Sequence, residues 1–300
     1  MTTSTVNPPF KNGLYMEEYF LRYACTNDRF YDHAGRLYIP ALWTNFQVEK
    51  WPIPIMKNMQ RAVIQFIKTH PNEKGYFTVI QHDDGPFLKL PPNTIIYGAC
   101  NGHIPLPLIY EDESKTLTNL AIYGKPFSER NILCSFVGSI TQNVRNICIT
   151  TLAKIPGFDF TVPTKGWTLT VDKSDQSTFI EKTLDSKFAL APRGYGRSSF
   201  RFFEIFQLGC IPIYVWDRHE WLPYKTQIDY SKICISIHVS KIDRLPDILE
   251  KIDEPTYNTM KLEYEKIKHM FELEFMCQYI SGHMSSPSSD SSECVSESSA

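Results

Sequence analysis

Three guanidinium groups, Arg193, Arg197 and Arg201, surround one short glycine loop in the stretch "FALAPRGYGRSSFRFFEIFQLGCIPIYVWD", residues 188–217. The stretch reads as strand, loop, helix, strand. Open parallel sheets bind ligands at the carboxyl ends of their strands, and Arg193, Gly194, Tyr195, Gly196, Arg197, Ser198 and Ser199 occupy that place. Gly194 and Gly196 let the backbone approach a ligand closely. A helix N-terminus capped by Ser198 or Ser199 offers unpaired N–H groups and a partial positive charge. The chemistry this serves is the binding of a diphosphate. Arg197, Arg201 and Glu204 follow at i, i+4 and i+7 on one face of an otherwise apolar helix. Arg197 is then placed for phosphate, and Glu204 for two ribose hydroxyls. A second loop, "FVGSITQNVR", puts Gly138 and Ser139 at the end of a buried strand and Arg145 at the start of the next helix. It faces the same crevice.

Two other nucleotide chemistries bear on this loop. No GKS or GKT occurs, which excludes a P-loop kinase or ATPase. An NAD-dependent Rossmann oxidoreductase stands as an alternative, because Gly194 and Gly196 form G-x-G and Asp217 follows about 20 residues on, where a ribose-binding acid belongs. Against it, Ser199 takes the third glycine's place, and three arginines exceed what a dinucleotide pyrophosphate needs.

The elements that must position these loops alternate. Strands are predicted at 36–44, 75–82, 93–99 and 116–124, with a helix near 55–68 between the first two. A second series has strands at 133–139, "FALAP", "CIPIYVW" and 232–237, with helices near 145–154 and 198–208. Interleaved strands and helices imply parallel sheets covered on both faces. "YGKPFSERN", 123–131, is the best boundary, dividing the chain into 1–125 and 126–255. A helix over 256–280 carries Met260, Tyr264, Ile267, Phe271 and Phe275 at helical spacing, a packing stripe. Residues 283–300 are Ser-rich and read as a disordered tail containing Cys294.

Composition agrees with a globular chain: 300 residues, 42% hydrophobic, 13% aromatic and a net charge of −2, which gives no reason to expect a nucleic-acid partner. Eight cysteines occur without a CxxC or a zinc spacing, mostly in apolar surroundings that suit reduced, buried thiols. With no signal-like or membrane-spanning run in the sequence, the expectation is a soluble, cytoplasmic protein without a membrane anchor.

The blocks in residues 133–224 resemble the signature of exostosin-like glycosyltransferases, family GT47: "FVGS" followed by Arg145, then "PRG", Ser and Arg leading to Glu204, then "GCIP" and an acid before "LP". The amino-terminal half is similar only through "YIPALWT" and "FTVIQHDDGP". The resemblance implies an α/β chain of the GT-B fold, two Rossmann-like domains facing a central cleft, with the C-terminal helix (256–282) packing back. It implies an inverting transfer from a UDP-sugar to a hydroxyl of a glycan acceptor, protein-linked glycans included, with no cofactor and no metal. The absence of D-x-D agrees with the last point. Carried over, Arg145, Arg197 and Ser199 contact the diphosphate and Glu204 the ribose. The chain looks most like the compact family members of large algal viruses, which implies host cytoplasm and makes UDP-xylose the first donor to try, ahead of GDP-fucose or UDP-galactose. A nucleotide-sugar-binding or glycan-binding protein without catalysis is the second alternative.

Inverting transfer needs a general base for the acceptor hydroxyl. "IQHDDGP" places His82, Asp83 and Asp84 after a strand of the acceptor half. Asp83 and Asp84 are the candidate bases, indistinguishable at this level and equally readable as a tight turn. His82 is the fallback. His103 and Trp43 are candidates for the acceptor wall, and Trp51 and Trp216 are further aromatics suited to stacking on a sugar.

Overall fold

The computed structural model describes residues 4–6, 8–48, 53–164 and 166–283. The Ser-rich tail beyond His283, with Cys294, and Trp51 lie outside the described residues. The chain forms two parallel sheets. One contains Leu37–Tyr38, Tyr76–Ile80, Thr94–Gly98 and Ile104–Pro105, neighbours in chain order. The other has five strands, spatially ordered Phe158–Thr161, Ile132–Val137, Ser186–Pro192, Ile211–Trp216, Ile235–His238. In chain order that is 2-1-3-4-5, a doubly wound sheet whose order reverses between Ile132–Val137 and Ser186–Pro192. With helices packed on the sheets and a cleft between the two units, this is the GT-B arrangement.

The strands are apolar on both faces, as buried parallel strands must be. "YFTVI" is buried throughout, and so are the last five residues of "SKFALAP". The helix Phe200–Gln207 follows the glycine loop and is held by aromatic packing. Phe206 stacks on Tyr264 with ring centroids 4.2 Å apart and 4° between planes, and Phe203 meets Phe271 edge-on at 5.4 Å. The helix that opens the candidate phosphate loop is thereby fixed to the carboxyl-terminal elements.

Those elements depart from the single helix expected over 256–280. The helix Glu254–Ile267 ends, Lys268–Phe271 forms a 3₁₀ turn, and a new helix runs Leu273–Ser281. The break lets Phe271 turn onto Phe203 and Phe206 while the last helix packs on Met16–Asn27 of the other half. The apolar stripe does pack against more than one part of the protein: Met260 joins the five-stranded unit's core, and Phe271 the core shared by both halves. At the other end, Ser4–Val6 pairs antiparallel with Thr170–Asp172, so chain crosses between the halves at both ends.

One expected strand is helical and another is cut short. Residues 116–120 form a helix because the Asp112 carboxylate accepts the Thr116 N–H at 2.6 Å and its hydroxyl at 3.2 Å, satisfying donors at the first turn. In 36–44 only Leu37–Tyr38 stays in the sheet, since Pro40 cannot continue a ladder. Trp43–Val48 then turns into a helix whose Thr44 N–H and hydroxyl are held by Glu17. All described cysteines are free, and all but Cys25 are buried. No helix among the described residues is long and apolar enough to cross a membrane.

Candidate active site

The strand order reverses beside the loops after Val137 and Pro192, and there a cleft of about 750 Å³ opens between the halves. Gly138, Ser139, Arg145, Gly194, Tyr195, Ser198, Ser199, Arg201 and Glu204 line it from the five-stranded side, and His82 and Asp83 from the other. The two loops singled out by their glycines and arginines therefore do meet in one crevice.

Among the described residues, the arginines in it are Arg145 and Arg201. Arg145 is only 9% exposed and spends its donors on carbonyls, Nη1 to Ser139 at 2.8 Å and Nε to Arg193 at 3.2 Å. Burial, reinforced by the neighbouring Arg201 charge, pulls this guanidinium down to about 9. Both arginines approach the Phe136 ring, each at 5.9 Å, and Arg201 also lies 4.7 Å from Phe179. Arg201 donates to the Val137 carbonyl, while its Nε is buried without a partner. Gly138 has no room for a Cβ beside the Arg201 guanidinium, which explains glycine there. Glu204 is buried, accepts from the Tyr110 hydroxyl at 2.9 Å and feels Arg201. Burial raises its carboxyl, and the Arg201 charge and Tyr110 offset part of that. Like charges held together out of water, with carbonyls for partners, form a site for an anion.

Two arginines of the glycine loop turn elsewhere. Arg193 makes a two-point ion pair with Asp217, at 2.7 and 2.8 Å. Arg197 lies over the Trp221 ring at 4.9 Å, outside the cleft lining. The helix begins only at Phe200, so Arg197 sits on the loop and does not continue the face of Arg201 and Glu204. Both corrections have one cause: a loop side chain follows its best partner, and these partners lie away from the cleft. The pairing also occupies Asp217, the acid that an oxidoreductase reading assigns to ribose. Ser199 is the N-cap residue, and its side chain makes no cap bond.

Across the cleft the adjacent aspartates separate. Asp83 lines the cleft, partly buried, and accepts from the Cys100 thiol and from the Gly196 N–H of the opposite loop. Burial raises its carboxyl above the usual range, and those donors, with His82, offset part of that. A Cβ on Gly196 would overlap Asp83 Oδ1 and lie 2.6 Å from Cys100 Sγ, so this glycine makes room for the carboxylate. Asp84 is exposed, outside the lining, and its N–H donates to His82 Nδ1 at 3.2 Å in a turn. His82 lines the cleft. His103 does not: its Nδ1 accepts the Ile96 N–H at 2.9 Å, within its own sheet. Trp43 is fully buried, donating to Thr78 Oγ1 at 2.7 Å, because its helix faces the core. Trp216 donates to Ser236 and is also outside the lining.

Several cleft residues carry no sequence signal strong enough to find them. Glu18 reaches it from a segment for which the sequence suggested no element, and Thr44 and Asn45 from the end of the expected 36–44 strand. Trp167 also lines it, half exposed. A lone tryptophan in "PTKGWTLT", with few apolar neighbours to bury it, was the available clue. Among the described residues no group of His, Cys, Asp and Glu is arranged to hold a metal ion.

Residues 104–252 match the family described as the exostosin GT47 domain. Over these residues the chain is similar to that family. It is 35% identical to exostosin-1 of Drosophila melanogaster over 82 residues, 27% of this chain and 10% of that protein. It is 25% identical to a probable glycosyltransferase of Arabidopsis thaliana over 154 residues, 48% of this chain and 33% of that protein. An exostosin-1 homolog of Caenorhabditis elegans is 33% identical over 79 residues, 26% of this chain and 20% of that protein. The chain thus spans a third or less of each of these relatives. Among solved structures, WaaG, a glycosyltransferase involved in lipopolysaccharide biosynthesis, overlaps 87% of this chain and 80% of its own, at 13% identity and a TM-score of 0.34.

Proposed function

We propose that this exostosin-like chain is an inverting glycosyltransferase that moves a sugar from a nucleoside diphosphate sugar to a hydroxyl of a glycan. One observation carries the reading. Arg145 and Arg201 bring two guanidinium groups together at the switch point of a doubly wound sheet, with Glu204 beside Arg201, and Asp83 faces them from the opposite wall. Arg145, Arg201, Ser198, Ser199 and the Gly138 and Gly194 loops receive the diphosphate, and Glu204 the ribose. The acceptor oxygen attacks the anomeric carbon from the side opposite the diphosphate. The C–O bond to the diphosphate breaks, and its electron pair leaves with the phosphate oxygen. Charge grows there in the transition state, where fixed guanidiniums and N–H groups stabilise it most. Asp83 takes the acceptor proton, with its carboxylate already aimed by Cys100 and Gly196. UDP is the first nucleotide and xylose the first sugar, on the likeness to compact viral family members. The transfer is proposed to proceed without a metal.

Thermal unfolding against UDP, GDP, UDP-xylose, UDP-galactose, UDP-glucose, GDP-fucose and NAD, each with and without EDTA, tests this. A ligand at a hundred times its dissociation constant adds about 2.7 kcal/mol. Stabilisation by a nucleoside diphosphate and its sugar, unchanged by EDTA, followed by release of that diphosphate in the presence of acceptor, is the expected result. Stabilisation by NAD alone defeats the reading, and donor binding without turnover leaves a binding protein.

A further inference from the structure

We propose that the mouth of this cleft is a binding surface for an uncharged oligosaccharide, so that the acceptor is an extended neutral glycan and not a single sugar or a uronate polymer. This rests on the donor reading above for its catalytic meaning, but the surface itself is independently testable. Val48, Phe87, Trp167, Leu169 and Tyr195 are each between 45% and 58% exposed. They come from both halves: Val48, Trp167, Leu169 and Tyr195 line the cleft, and the Phe87 ring meets cleft-lining His82 edge-on at 5.2 Å. Large apolar side chains exposed together mark a binding surface more often than scattered ones do.

The chemistry of the patch selects the occupant. Three of the five are aromatic, and the same cleft is lined by polar groups: Thr44, Asn45 and Glu18 from the amino-terminal half and Ser139 from the other. Flat apolar rings together with hydrogen-bonding groups match a pyranose, which has C–H faces and a rim of hydroxyls. A peptide or lipid needs less polar spacing. Trp167 is held at this position, because the Ser139 hydroxyl donates to the adjacent Gly166 carbonyl at 2.8 Å. The aromatic lip is thereby tied to the loop read as binding phosphate.

Charge narrows the class. Among the described residues, the amino-terminal half turns two carboxylates, Glu18 and Asp83, towards the cleft and no lysine or arginine. The described arginines of the cleft, Arg145 and Arg201, belong to the five-stranded side. A uronate chain on the acceptor wall would meet like charge, a cost that grows where the wall is desolvated. An uncharged chain meets none.

The experiment is titration calorimetry of the full chain, with and without UDP. The probes are cellotetraose, xylotetraose, maltotetraose, their monosaccharides and tetragalacturonate. At least one neutral tetrasaccharide should bind about tenfold more tightly than its monosaccharide, with tetragalacturonate weaker by a similar factor. Trp167→Ala and Phe87→Ala should each weaken that tetrasaccharide about two- to tenfold while leaving UDP affinity unchanged. Both positions are exposed, and thermal unfolding checks that the variants fold. Glu18→Gln should strengthen tetragalacturonate binding. The proposal is overturned if tetragalacturonate binds as well as every neutral chain, if no tetrasaccharide outbinds its monosaccharide, or if neither aromatic variant changes affinity. Loss of UDP binding in Trp167→Ala also overturns it, by assigning that ring to the nucleotide. Failure of UDP to bind the parent, with the carbohydrate results intact, sinks the donor reading and leaves the surface standing.

Discussion

Replacing Arg145 by methionine should make the ligand-free protein more stable and abolish its response to nucleotide. Arg145 is 9% exposed, and its guanidinium is held down to about 9, well below the ordinary arginine value, with burial the main cause. A base whose folded value is depressed destabilises the fold wherever it is charged, which at neutral pH is fully. That depression corresponds to roughly 5 kcal/mol. Methionine has similar length and no charge, so it removes this cost. It also orphans the Ser139 and Arg193 carbonyls, which returns roughly 1–2 kcal/mol each. The net gain is about 1–3 kcal/mol, a rise of several degrees in Tm for a chain of this size.

The assay is differential scanning calorimetry of parent, Arg145→Met and Arg145→Lys at pH 7, with and without UDP. The parent should gain about 2.7 kcal/mol at a hundredfold excess over Kd. The methionine variant should begin higher and gain nothing. The lysine variant keeps the charge and should start near the parent, with part of the UDP response. If Arg145→Met melts below the parent without ligand, the guanidinium is a structural tie and the anion-site argument fails. If it still responds fully to UDP, the diphosphate lies elsewhere.

The two aspartates provide a second contrast. Asp83→Asn should lower transfer about 10²–10⁴-fold with nucleotide affinity intact, whereas Asp84→Asn should stay near the parent, as steady-state kinetics with fixed donor will show. Because Asp83 must be ionised to accept a proton and burial raises its carboxyl, kcat/KM should fall towards acid at a pH above the ordinary carboxylate value of 3.8. Arg193→Ala should cost stability by breaking the pair with Asp217 yet leave UDP affinity within about twofold, unlike the Arg145 variants, in a direct titration. Glu17 is buried and pushed up to about 7 from 4.5, so the folded state binds the extra proton between those values. Its contribution is therefore greatest below about 4.5 and declines by roughly 3 kcal/mol as pH rises to about 7. Glu17→Gln should flatten that decline in urea unfolding midpoints measured at pH 5 and pH 8.

What was legible in the sequence divides along a physical line. Strand, glycine and helix order are local, and "FALAPRGYGRSS" and "FVGSITQNVR" each announced a loop at the carboxyl end of a buried strand. Their meeting follows from sheet order, which parallel pairing between Ile132–Val137 and Ser186–Pro192 enforces. Which arginine faces the crevice is a different kind of fact. Arg193 turns to Asp217, 24 residues on, and Arg197 to Trp221. No spacing rule within the loop contains those partners. The same holds for Asp83 and Asp84, whose turn reads symmetrically until Cys100 and the Gly196 N–H, from two other segments, claim one of them. Side-chain capping overrode strand propensity as well: Asp112 drew Thr116, four residues on, into a helix, and Glu17 did the same for the more distant Thr44. Other long-range contacts join the halves. Gly196 to Asp83, Tyr110 to Glu204 at 2.9 Å and Trp221 to the Gly98 carbonyl at 3.2 Å all cross between them. Gly196 lies in the loop proposed to bind the diphosphate and Glu204 on the helix it opens, so a ligand that shifts this loop should also move the carboxylate proposed as the base. On that proposal donor binding and base alignment are coupled, and a variant that loosens Gly196 should impair transfer before it impairs donor affinity.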